Sequence, residues 1–134
     1  MKRIYWLTFL LLFVISCSTV NTEIYKSNYK LQKKSVYLNI ENDSWNLDKS
    51  ITSRIENLGF SVVNKESPQF DIIALVDYET FWDVVHQTFN RFEISFVDAR
   101  TNEVLLKSKY VGRIGFNGCE AALDLVFKDI ASKI

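Results

Sequence analysis

FEISFVDARTNEVLLKSKY, residues 92–110, decides the fold. Phe92, Ile94 and Phe96 alternate with Glu93 and Ser95, and Arg91 extends the polar set by one step. A period of two places the aromatic and aliphatic side chains in a core and the polar ones in water, as in a strand with one solvated face. Asp98 to Asn102 then reads as the turn. Asp98 can hydrogen-bond the turn backbone, and Asn102 belongs to a residue type that accepts the left-handed conformation required by a type I turn plus bulge. Glu103 to about Gly112 is the return strand.

Upstream, Phe70 to about Val84 reads as a longer strand, with His86 to Asp98 following it. Ile72, Ala74, Val76 and Tyr78 share one face, and Ile73 and Leu75 lie on the other. Apolar residues on both faces predict a central position in the sheet. Ser35 to Ile40 alternates Val36, Leu38 and Ile40 and predicts a further strand. Asp43 or Ser44 is placed to cap a helix whose buried stripe is Leu47, Ile51, Ile55 and Leu58. Gly59 stands where that helix should stop with positive φ, and Phe60 to Val63 is a short strand. At the other end, about Gly118 to Ile134 predicts a second amphipathic helix. Its stripe is Leu123, Val126, Phe127, Ile130 and Ile134, opposed by Asp124, Lys128, Asp129 and Lys133. The order β-α-β-β-β-α predicts an α+β two-layer sandwich, with two helices on one face of a mixed sheet, as a single domain over residues 35–134.

The first seventeen residues follow other rules. Lys2 and Arg3 give a positive start, and Ile4 to Ile15 runs with Thr8 alone as a polar residue. This matches the charged and apolar regions of a secretory signal. Twelve apolar residues fall short of the ~20 needed to span a bilayer, so a retained membrane helix is the weaker reading. Val14, Ile15, Ser16 and Cys17 resemble the bacterial lipoprotein lipobox: an aliphatic residue, a tolerant position, a small residue and cysteine. Ile15 is bulkier than the usual occupant of its position. The resemblance implies cleavage between Ser16 and Cys17, with a signal peptide over 1–16. It also implies lipidation of the Cys17 thiol and fatty acylation, of the palmitate kind, at the new amino end. The expected location is the bacterial cell envelope. In a Gram-negative source, Ser18 in place of an aspartate implies the outer membrane, facing the periplasm. Residues 17–34 lack sustained periodicity and are expected to form the acylated cysteine and a flexible tether.

The whole chain has 134 residues and balances 16 basic against 16 acidic side chains. Loss of Lys2 and Arg3 would leave 14 against 16, which gives no footprint for nucleic acid. Lys26, Lys30, Lys33 and Lys34 form a local basic stretch, read as solvated. Of the two cysteines, an acylated Cys17 leaves Cys119 without a partner in the chain. It is read as a small core residue, the alternative being a reactive or intermolecular thiol.

Three stretches carry a second resemblance: IENLGFSVV (55–63), FDIIALV (70–76) and EISFVDARTNEVL (93–105). Their pattern and order resemble small periplasmic lipoprotein domains, as in the amino-terminal part of TolB, curli-secretion lipoproteins and lipoprotein activators of peptidoglycan synthases. The resemblance implies protein-binding or scaffold roles in the envelope and transfers no catalytic residue.

Chemistry is sparse. One histidine, His86, and one cysteine of the mature domain cannot build a Cys/His zinc set, so no metal site or cofactor is expected. No metalloprotease, nucleophile-elbow or P-loop motif occurs. Asp77, Glu79 and Asp83 alternate along one strand and would share a face, which is the basis for a small lipid-anchored hydrolase as the alternative function. Phe81, Trp82 and His86 lie where a hairpin should turn. Aromatic residues are unusual there and mark a partner contact. The expected function is therefore a membrane-anchored, non-enzymatic protein-binding or assembly module with an envelope protein as partner, and no small-molecule substrate is evident. An immunity or effector-blocking lipoprotein would be a further kind of binder.

Overall fold

The computed structural model describes residues 18–27, 31, 34–67, 69–82, 87–112 and 118–134. Among them the chain forms β1 (Thr19–Ile24), β2 (Ser35–Ile40), α1 (Asp48–Asn57), β3 (Ser61–Val63), β4 (Ile72–Trp82), β5 (Gln87–Asp98), β6 (Val104–Val111) and α2 (Cys119–Ala131). The strands make one sheet in the order β1-β6-β5-β4-β2-β3. β2 pairs parallel with both β3 and β4, and the remaining neighbours are antiparallel. From β2 onward this is the α+β two-layer sandwich with a mixed sheet.

The local signals act as their chemistry requires. Ile72, Ala74 and Val76 of β4 and Phe92, Ile94 and Phe96 of β5 are buried on the helix side of the sheet. β4 lies between β2 and β5, the interior position expected from its two apolar faces. On its second face, however, Leu75 remains 43% exposed, because no helix among the described residues covers that side.

Ile51 and Ile55 of α1 are fully buried, with Leu47 beside them. The N-cap is Leu47 and not Asp43 or Ser44, because the loop runs on for one further turn; the Asp43 carboxylate instead accepts the amides of Leu47 (2.7 Å) and Asp48 (3.1 Å) from before the cap. Gly59 ends it at φ +95°. Leu123, Val126, Phe127 and Ile130 bury one stripe of α2. The helices are tied to each other by Arg54, whose guanidinium reaches Glu120 and Asp124 at 2.8 Å each. Cys119 is buried, and burial pushes its thiol up to about 11. That favours the core reading over the reactive one, since the thiolate is the nucleophile.

The turn after β5 is built as the residue types dictate. Asp98 Oδ1 accepts the amides of Arg100 (2.9 Å) and Thr101 (3.0 Å), and Asn102 takes φ +58°. The β5–β6 register shifts between Phe96 and Val97, which is the bulge.

The tether requires a correction. Within the stretch 17–34, Thr19 to Ile24 is not a tether but an edge strand, paired with β6 from Thr19↔Val111 to Ile24↔Leu106. Its inner face holds Val20, which packs on the core, and Thr22, whose hydroxyl meets that of Ser108 at 2.8 Å in a buried pair. A strand with so short an apolar pattern owes its place to a partner 86 residues away. The expected signal segment, residues 1–16, and Cys17 lie outside the described residues.

Candidate functional site

One face of the sheet carries neither α1 nor α2. Strand register places rows of side chains across it. One row runs Leu75, Ser95, Lys107 and Glu23; the next runs Asp77, Glu93, Lys109 and Asn21. Asp77 and Glu79 share this face, as their spacing predicts, but neither is free. Arg91 Nη2 lies 2.7 Å from Asp77 and 3.5 Å from Glu79, and Asp77 in particular raises the Arg91 pKa above its ordinary value. Glu93 is held by Lys107 at 3.0 Å. Adjacent carboxylates with adjacent cations make a charge-laced face. A hydrolytic acid would instead need surroundings that favour the protonated carboxyl. Asp83 lies outside the described residues. Among those residues, no three His, Cys, Asp or Glu side chains converge as metal ligands would.

A hollow of about 500 Å³ opens on this face, lined by Asn39, Glu41, Leu75, Asp77, Glu93 and Ser95 among others. Leu75, Ile40 and Val76 are its apolar lining residues, and Leu75 is the exposed one.

The two ends of the sheet differ. At the end where β2 and β4 begin, a hollow of about 800 Å³ is lined by Lys34, Ser35, Phe70, Asp71, Asp98 and Arg100 among others. Its carboxylates are committed to backbone. Asp71 Oδ2 accepts both the amide (3.0 Å) and the hydroxyl (2.9 Å) of Ser35. These bonds hold its carboxyl below the usual range. Asp98 is occupied by the turn. The volume falls in the range of ligand pockets, but these two carboxylates serve strand ends and a turn.

At the opposite end, β4 runs past the end of β2 and carries aromatic residues. Tyr78 donates to Asp43 (2.9 Å) and accepts the amide of Trp45 (3.2 Å), so the loop before α1 is bound to β4. Burial first, then Asp43, raises the Tyr78 pKa. The rings of Trp45 and Trp82 meet with centroids 5.5 Å apart. Trp45 packs on the core while Trp82 is 68% exposed, the highest value among the exposed large apolar residues described. Of the three expected contact residues, then, Trp82 projects into solvent and Phe81 is half-buried, while His86 lies outside the described residues. The chain's first described residue is at this same end: Tyr110 donates to the hydroxyl of Ser18 at 3.1 Å. Sequence reasoning missed Trp45 as the support of Trp82, because only the fold brings them together. It also missed Leu75 as the apolar centre of the open face, having placed it beside a central strand's partners.

No protein-family model and no curated protein sequence matches the chain. Solved structures do. The fold is similar to that of the PelC dodecamer from Paraburkholderia phytofirmans, with a TM-score of 0.60 at 9% identity, covering 87% of this chain and 96% of that one. A variant of that dodecamer gives a TM-score of 0.56 at 10% identity over the same shares. A minor lipoprotein from Acinetobacter baumannii matches at a TM-score of 0.33 and 14% identity, over 74% of this chain and 85% of that one, too loosely to carry an argument. The PelC likeness shows a shared fold.

Proposed function

We propose that the mature chain is a bacterial envelope lipoprotein, held on a bilayer through acylated Cys17, that works as a non-enzymatic binding and assembly module. The observation that carries this reading is the open sheet face. Asp77, Glu79 and Glu93 are engaged there by Arg91 and Lys107, and Leu75, 43% exposed, lies among the polar Asn39, Asp77, Glu93 and Ser95. An apolar centre with a polar rim is the anatomy of a protein interface. The alternative is a hydrolase using Asp77 and Glu79, and against it stands the engagement of both carboxylates by Arg91 at 2.7 and 3.5 Å. The lipobox of Val14 to Cys17 supports the anchor, and with it the envelope location and, for a Gram-negative source, the outer membrane facing the periplasm.

A second copy of the chain is the first partner to test, because the fold is similar to that of a subunit that assembles into a dodecamer. Strand addition at the sheet edges is disfavoured. Tyr25 bonds through its amide to the carbonyl of Leu105, so Val20, Thr22 and Ile24 turn their backbone groups outward. The outward carbonyl of Thr22 is taken by Lys133 Nζ at 2.8 Å, and β3 at the other edge has only three residues. Charged caps and short strands are how sheet edges are protected.

The experiment is light scattering on the acylated full chain in mild detergent, with cross-linking in intact cells. An oligomer or a defined envelope complex that Leu75→Arg dissolves, with the fold intact, is the expected result. A monomer that cross-links to no envelope protein overturns the binding role. An intact mass showing an unmodified sulfur at Cys17 overturns the anchor.

A further inference from the structure

We propose that the rim of the sheet bearing Trp82 lies on the bilayer, with the Trp82 indole inserted at the headgroup level as a second membrane contact beside the acylated Cys17. This inference rests on the acylation of Cys17 proposed above, and it names the surface that the anchor brings to the membrane.

The argument begins with the loss of the tether. Because β1 starts at Thr19, the chain between the folded sheet and Cys17 is Ser18 alone, and Ser18 is itself bonded to Tyr110. Consecutive Cα atoms are about 3.8 Å apart, so acyl chains on Cys17 cannot be far from the body of the domain. The domain therefore rests against the headgroups instead of floating above them.

The register shows which part of the domain faces them. Thr19 pairs with Val111, Val111 with Arg91, and Arg91 with Glu79, so these four residues form one row across β1, β6, β5 and β4. At about 3.3 Å per strand residue, Ser18 lies about 3 Å beyond the row and Trp82 about 10 Å beyond it, in the same direction. Three strand spacings of about 4.8 Å separate them sideways, about 14 Å in all. Sheet twist tilts β4 against β1, about 20° per strand step, but both still project from one rim. A bilayer that takes up the acyl chains at Cys17 thus meets Trp82 at its surface.

The chemistry of the residue fits that position. Tryptophan combines a large apolar body with an N–H donor and is enriched at membrane–water interfaces. Trp82 is 68% exposed and is backed by Trp45, so the ring is presented on a support. Val111, 38% exposed, adds an apolar residue to the same rim. The opposite end also exposes apolar groups, Tyr25 at 55%, Val104 at 38% and Ile24 at 37%, but it lies the length of β1 away from Ser18 and so from the acylated Cys17.

After loss of the signal, two tryptophans remain, Trp45 and Trp82. The acylated full chain, with Trp45→Phe, is reconstituted in phosphatidylcholine–phosphatidylethanolamine vesicles that carry lipids brominated near the headgroup. The same preparation is weighed by mass spectrometry. The expected result is an acyl-modified Cys17, with Trp82 emission shifted to the blue and largely quenched. The converse variant, Trp82→Phe, should leave Trp45 emission much less affected. Fluorotryptophan labelling of the unsubstituted chain, read by fluorine NMR with spin-labelled lipids, repeats the measurement without depending on either variant's folding. The resonance assigned to Trp82 should broaden. An acylated, vesicle-bound protein whose Trp82 stays unquenched and unbroadened overturns this inference and leaves the anchor standing. If that Trp82 becomes shielded only when envelope proteins are added, a protein contact replaces the membrane one. A mass without acyl chains overturns both.

Discussion

The two ends of the sheet are made from the same strands and spend their side chains differently. Where β2 and β4 begin, polar groups close on backbone: Asp71 on Ser35, Asp98 on the turn after β5. Where β4 ends, aromatic residues fill the space, and the outermost of them, Trp82, has water over most of its surface. The carboxylates of the first end hold the fold, while Tyr25 is left 55% exposed beside them. The second combines a firm aromatic base with an apolar group left over, and Ser18, the first described residue, lies beside it. Trp82 on its Trp45 support is the group on which the proposed membrane contact rests.

The strongest way to break this contrast is to remove the base of the aromatic end. Phe89 is 1% exposed and packs against Tyr78, Phe92 and Tyr110 with ring centroids 5.6, 5.2 and 6.5 Å away. Phe89→Ala should cost about 3–5 kcal/mol in urea unfolding. Next is the close approach of two backbones at the same end. A Cβ on Gly112 would fall on the carbonyl oxygen of Phe89, inside any van der Waals contact. Gly112→Ala should therefore cost about 2 kcal/mol, measured the same way.

The polar end should respond more weakly and to pH. Asp71→Ala removes two bonds to Ser35 from an exposed carboxylate and should cost about 1 kcal/mol at neutral pH. Since the folded state holds this carboxyl below its ordinary value, its contribution is present above that value. It is lost as the pH falls through the folded pKa, because protonation then favours the unfolded chain. The difference between the unsubstituted protein and Asp71→Ala should shrink on acidification below about pH 4, read from paired melting curves. The smallest effect belongs to Trp82. Trp82→Ser should change stability by under about 1 kcal/mol, the value of its contact with Trp45. A drop as large as that of Phe89→Ala would make Trp82 a structural residue and erase the contrast.

Much of this architecture was legible in local pattern. The alternation through β4 and β5, the four-residue steps of α1 and α2, Asp98 and Asn102 in the turn and Gly59 after α1 all act over a few residues, where neighbouring side chains decide the geometry. The candidate site was legible in part. Phe81 and Trp82 stood out as aromatic residues near a turn, but exposure separates them, and only Trp82 is largely free. Asp77 and Glu79 do share a face, yet their meaning changed once Arg91 was placed against them from the next strand. The tether was misread because β1 has little apolar periodicity of its own, and it becomes a strand through pairing with β6 and the buried Thr22–Ser108 contact.

By itself, then, the sequence determined which segments are strands and helices from β2 onward, where the hairpin turns, and that a thiol follows an apolar leader, because each of these depends on residues close along the chain. The tertiary structure alone decided that β1 closes the sheet, that Arg91 holds the acidic pair, and that Ser18 and Trp82 share one rim. Those facts depend on register between strands far apart in sequence, and no local periodicity encodes register.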